Sequence, residues 1–180
     1  MNYLLPLIAV ILGYILALVI QPKKKSNLKL LLAFSGSFLL SVTVISLLPE
    51  VYETKNTTIG LYIMLGILFQ IILEFFSKGA EHGHVHGHQT ITHIPWLLFI
   101  SLCIHALLEG FPVGHHHDLA IGIAIHHLPI AIILTTFFVQ AQLNKKAIFA
   151  FMITFAMMTP LGTLASNYIP GLQEYTTEIT

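Results

Sequence analysis

Two short stretches carry the residues most able to do chemistry. In Ile104-His105-Ala106-Leu107-Leu108-Glu109-Gly110, a histidine and a glutamate stand four positions apart. On a helix that spacing stacks them on one face. They could hold one divalent cation there, or form a hydrogen-bonded pair that only staples two helices. In Ala124-Ile125-His126-His127-Leu128-Pro129-Ile130, two histidines are adjacent. Adjacent helical residues point about 100° apart, so His126 and His127 could serve neighbouring subsites. Alternatively, one could ligate while the other takes a proton or a carbonyl. Neutral imidazole suits zinc, iron, copper or nickel, and a carboxylate widens the range toward manganese.

Histidine is unusually abundant, with 11 copies against 8 lysines. Glu81-His82-Gly83-His84-Val85-His86-Gly87-His88 alternates imidazoles with small residues, a pattern able to wrap a borderline cation. His82, His84, His86 and His88 are therefore a second candidate metal site, set against the plainer reading of a polar loop. Gly114-His115-His116-His117-Asp118 could collect ions at a pathway mouth or be simply polar. Gln70 and Glu74 are four apart in an otherwise apolar run and share a face. Ser41, Thr43 and Ser46 are expected to bond back to their own helix. Cys103 is the single cysteine, so neither an internal disulfide nor a thiolate zinc finger can form.

The elements that must position these groups are membrane helices. The chain is 56% hydrophobic and 9% charged, against roughly 25% charged in soluble domains. A bilayer solvates such a composition. Inside it, backbone amides must be satisfied internally, and long apolar runs favour helices over a barrel. Six segments can be cut out, at 3–20, 28–48, 59–76, 95–113, 119–139 and 147–168. The fold class is all-α, a polytopic bundle of six transmembrane helices forming one domain over residues 1–180, with a His-rich loop at 78–94. Seven of the eight lysines fall in or beside the first, third and fifth loops. By the positive-inside rule the N-terminus is then outside and the His-rich loop cytoplasmic. Zero net charge and the absence of arginine argue against nucleic acid as a partner. Small residues crowd the fifth and sixth segments, which should form a tight central bundle. Pro49 and Pro112 are read as packing kinks, Pro129 as a bend tied to the histidines beside it.

These motifs together resemble the ZIP family of metal-ion transporters along essentially the whole chain. Leu47-Leu48-Pro49-Glu50 is similar to the end of that family's second helix, and His82 to His88 look like its His-rich cytoplasmic loop. His105-Ala106-Leu107-Leu108-Glu109-Gly110 resembles its fourth-helix signature, and His126-His127-Leu128-Pro129 its fifth-helix motif. Thr159-Pro160-Leu161-Gly162 looks like its sixth-helix Pro-x-Gly. The resemblance implies a metal site between the fourth and fifth helices, with His105, Glu109 and His126 as ligands and His127 beside them. It also implies alternating access, the first, fourth, fifth and sixth helices sliding against a scaffold. Ala106, Ile130, Ser46 and Thr159 stand where further polar groups are common, so one ion rather than two is expected. The family has eight helices against six here, which makes a piece of a longer protein the expectation.

The resulting expectation is a non-enzymatic transporter of a divalent cation, zinc first, moving toward the cytoplasm across the cell membrane, or the inner membrane in a bacterium. Its partners are the metal ion and the bilayer, with a homodimer left open. Zinc is cargo, and no cofactor is expected. The rivals are a membrane metalloenzyme, disfavoured because the histidines lie at different depths, and a metal sensor that transports nothing.

Overall fold

The computed structural model describes residues 2–20, 25–53, 57–77, 94–114 and 117–168. The described residues form helices α1 (Leu4–Ile20), α2 (Lys25–Val42, continuing through a π-helical turn at Thr43–Leu47 into Leu48–Glu53), α3 (Ile59–Ser77), α4 (Trp96–Glu109), α5 (His117–Gln140) and α6 (Lys145–Tyr168). Five of these are long and apolar enough to cross a membrane, and α1 is a shorter apolar helix. The protein is an all-α membrane helix bundle. The second helix runs further than its apolar segment suggested, through Pro49 to Glu53. Pro49 cannot donate to the Ile45 carbonyl, and its ring crowds that oxygen. The widened turn before it, where the Leu48 amide reaches back to the Thr43 carbonyl, makes the room.

The surface follows the bilayer reading. Leu61, Met64, Leu68 and Phe75 of α3 are exposed, as are Phe34 and Ile45 of α2 and Ile8 and Val19 of α1. In water such a rim would be costly. Against lipid tails it is neutral, so packing detail rather than burial of apolar area must hold the helices together.

That detail is backbone proximity at small residues. Gly13 of α1 lies against Ala131 and the Leu128 carbonyl of α5, where an added Cβ would come within 2.7 Å of both. Gly110 at the end of α4 and Gly162 of α6 face one another, and a Cβ on either would run into the partner's backbone, at Thr159 and Leu107 respectively. The Thr163 hydroxyl locks the second seam by donating 2.7 Å to the Gly110 carbonyl. The small residues at these seams thus serve contacts with α1 and α4 more than a mutual α5–α6 contact. Helix α5 is central, packed chiefly on α1 and α2, while α6 packs chiefly on α4 and α1. Leu102, Ala106, Ile130, Leu134, Phe138 and Phe151 fill the core between them. The hydroxyls of Ser41 and Thr43 bond back to the carbonyls of Ser37 and Leu39, the local fate expected of them.

Candidate metal centre

Helix α4 stops where its chemistry is needed. Gly110 caps it, and Pro112 forces the chain out of α geometry into a short 3-10 turn at Pro112–Gly114. Glu109 is thereby placed on the last helical residue, one turn above His105, both facing α5. The interlock of Gly110 with Gly162 fixes the height of that turn against α6.

Glu109 sits at the middle of the site. One carboxylate oxygen, Oε2, accepts a hydrogen bond from His127 Nε2 at 2.9 Å. The other, Oε1, lies 3.1 Å from His105 Nε2. His105 uses its remaining nitrogen, Nδ1, toward Gln70 Oε1 at 2.9 Å. An amide oxygen can only accept, so Nδ1 carries the proton and donates. The neutral ring then offers a lone pair at Nε2, 3.1 Å from a carboxylate oxygen. Two acceptors that close require a cation between them, either a proton or a metal.

His126 completes the arrangement. One ligand atom each from His105, Glu109 and His126 lie within 4.8 Å of one another. Zinc–ligand bonds of about 2.0–2.2 Å set tetrahedral ligands roughly 3.3–3.6 Å apart, so the three groups would have to draw in around an ion. Two imidazoles and a carboxylate are three protein ligands, leaving a fourth position open for water. His127 holds the far oxygen of Glu109 and is itself fully buried, its ring 5.3 Å from that of Phe155. Carboxylate ligands are commonly held in this way by an outer hydrogen-bond donor. His126→Ala is therefore expected to remove a ligand and with it nearly all zinc binding, whereas His127→Ala leaves three ligands and weakens binding roughly tenfold to a hundredfold by freeing Glu109. Titration of the purified protein against a chromophoric zinc chelator separates the two.

Ala106 and Ile130 are wholly buried in the apolar core beside the site. Neither position offers a donor, which fits one ion better than two. A cavity of about 590 Å³ between α2, α3, α4 and α5 reaches Glu109, lined otherwise by such residues as Thr43, Leu47, Val51 and Ile123. His82, His84, His86, His88, His115 and His116 lie outside the described residues. His117 opens α5, with Nδ1 3.3 Å from Asn2 Oδ1, and joins no metal cluster among the described residues. Two further polar groups escape a reading of the sequence. Thr135 and Thr136, about two and a half turns beyond the histidines on α5, have buried hydroxyls with no hydrogen-bond partner among the described residues. Their only signal is a paired threonine in an apolar run.

Comparison with known proteins points the same way. The chain is 25% identical over 110 residues to the zinc transporter ZIP1 of Danio rerio, a match covering 48% of this chain and 36% of that protein. The likeness thus runs to a ZIP zinc transporter. A second relative, protein zntD of Dictyostelium discoideum, is 28% identical over 112 residues, covering 52% of this chain and 16% of the relative. The matched stretch therefore spans well under two thirds of either relative. No family model and no solved structure matches the chain.

Proposed function

We propose that this protein carries a divalent cation, zinc first, across the membrane, with one ion held by His105, Glu109 and His126 on the way. The observation that carries the reading is the facing of His105 Nε2 and Glu109 Oε1 at 3.1 Å, inside the bundle, with His126 in reach. Ionisable groups at membrane depth are expensive and are kept for a purpose. A hydrogen-bonded staple would need only two of these groups, and would gain nothing from a third ligand atom within reach of both. The likeness to a zinc transporter supports the choice of cargo. Imidazole-rich ligation suits zinc on chemical grounds as well.

In this reading the cavity that reaches Glu109 is the approach from the end of the bundle where α3 begins and α4 ends. The lysine distribution makes that end external, and the resemblance to the ZIP family supports flow from there toward the cytoplasm by alternating access. The His-rich loop, His82 to His88, then lies on the receiving side, where it can take up released ion. One carboxylate among three ligands leaves a bound dication only partly neutralised, which favours letting go.

The test is uptake of radioactive zinc into proteoliposomes, comparing the protein with a His105→Ala/His126→Ala variant. Saturable uptake that disappears in the variant is the expected result. Zinc bound at the site but never moved would replace transport by a sensing role, and no binding in folded protein would end the metal reading.

A further inference from the structure

We infer that Gln70 of α3 is a positioning residue for the metal site: its amide oxygen selects the His105 tautomer that presents Nε2 to the ion. The inference rests on the metal reading given above. Two ring nitrogens are available on His105, and only one can face Glu109 and His126. Gln70 Oε1 holds the other, Nδ1, at 2.9 Å. In the absence of such an acceptor a neutral imidazole can carry its proton on either nitrogen, and a proton on Nε2 would block the metal. His105 is buried, so bulk water does not stand in for the amide. Gln70 comes from a different helix, one that packs chiefly on α4. Its inward-facing stripe of Ile59, Ile63, Gly66, Gln70 and Leu73 carries the amide that meets His105, with Tyr62 and Glu74 half-buried beside it and most of the remaining side chains exposed.

The choice of amide over carboxylate has a chemical consequence. A carboxylate on Nδ1–H raises the basicity of the ligating nitrogen and tightens the bond to metal. A neutral amide sets the tautomer without adding charge or much basicity. The ion is oriented but not trapped, which is what a site that must release its ion requires.

Three proteins in lipid nanodiscs, unaltered, Gln70→Leu and Gln70→Glu, distinguish this from a packing role. Zinc alone is titrated against a competing chelator, and the ¹⁵N spectrum of labelled histidine, assigned to His105 by a His105→Gln variant, reports which ring nitrogen bears the proton. Gln70→Leu is expected to bind zinc roughly tenfold to a hundredfold more weakly, and Gln70→Glu at least as tightly as the unaltered protein with slower release. In the zinc-loaded unaltered protein, Nδ1 of His105 keeps its proton. Unchanged affinity in Gln70→Leu overturns the inference, as does a Gln70→Glu variant no better than Gln70→Leu, or a His105 bound to zinc through Nδ1. Should the unaltered protein bind no zinc, the metal reading itself fails. The tautomer is then decided by the unloaded spectrum at alkaline pH, where a free imidazole is neutral: Nδ1–H supports the selection by Gln70, and Nε2–H ends it.

Discussion

Replacing Glu109 by glutamine is expected to abolish zinc uptake and to weaken zinc binding by at least about a hundredfold, while leaving the helices in place. Glutamine keeps the size and one carbonyl oxygen, so His127 Nε2 can still donate to it across the 2.9 Å gap. What disappears is the negative charge that faces His105 at 3.1 Å. Among the three grouped ligands Glu109 is the only anion, and a dication inside a bundle cannot be held by neutral imidazoles at the same strength. An amide NH₂ turned toward His105 Nε2 would in addition satisfy that lone pair and close the site with a proton donor. Uptake in proteoliposomes and chelator competition check the two halves of the expectation. Retained uptake in Glu109→Gln would remove Glu109 from the pathway.

The second large effect lies outside the site. Gly162→Ala is expected to destabilise the bundle by about 3 kcal/mol or more, the upper range for overpacking a tight contact. The added methyl meets the Leu107 carbonyl and the Gly110 backbone, neither of which is the end of a flexible side chain. The only escape is to move α4 away from α6. That movement carries Glu109, one residue before Gly110, and would break the Thr163 bond to the Gly110 carbonyl. A lower unfolding temperature in detergent should therefore be accompanied by weaker zinc binding. Gly60→Ala, where nothing lies within 4 Å of the added Cβ, serves as the control. If Gly162→Ala melts and binds like the unaltered protein, the α4–α6 seam is looser than described.

Much of this was legible in the residues because the signals were local. Long apolar runs interrupted by lysines define the helices, and a four-residue spacing puts His105 and Glu109 on one face before any neighbour is known. His126 and His127 were both flagged, but their division of labour was not readable. It depends on which ring meets the near or far oxygen of a carboxylate on another helix. Gln70 stood out as a polar group in an apolar run, yet its pairing with His105 needs the vertical register of α3 against α4, and no local pattern states that register. The partners at the seams stayed open for the same reason. Glycine and alanine announce close contact but not the partner: that Ala131 meets Gly13 of α1 is unreadable until the two helices are seen together.

The widened turn at Thr43–Leu47 sets the phase of everything after it. Along α2 the residues that wall the cavity recur at Leu39 and Leu40, Thr43, Leu47 and Leu48, and Val51 and Tyr52, close to every fourth position. A regular α-helix repeats every 3.6 residues, so a four-residue interval kept for three turns drifts by roughly 120°. The one extra residue in the π turn absorbs about 100° of that drift and keeps a single wall facing Glu109. Deleting one residue there would yield a more regular helix with a worse cavity: Leu47, Leu48, Val51 and Tyr52 would turn by about 100° relative to Leu39 and Thr43. The irregular turn acts as a phase corrector, and its wider hydrogen-bonded ring is what lets one helix line one chamber along its length.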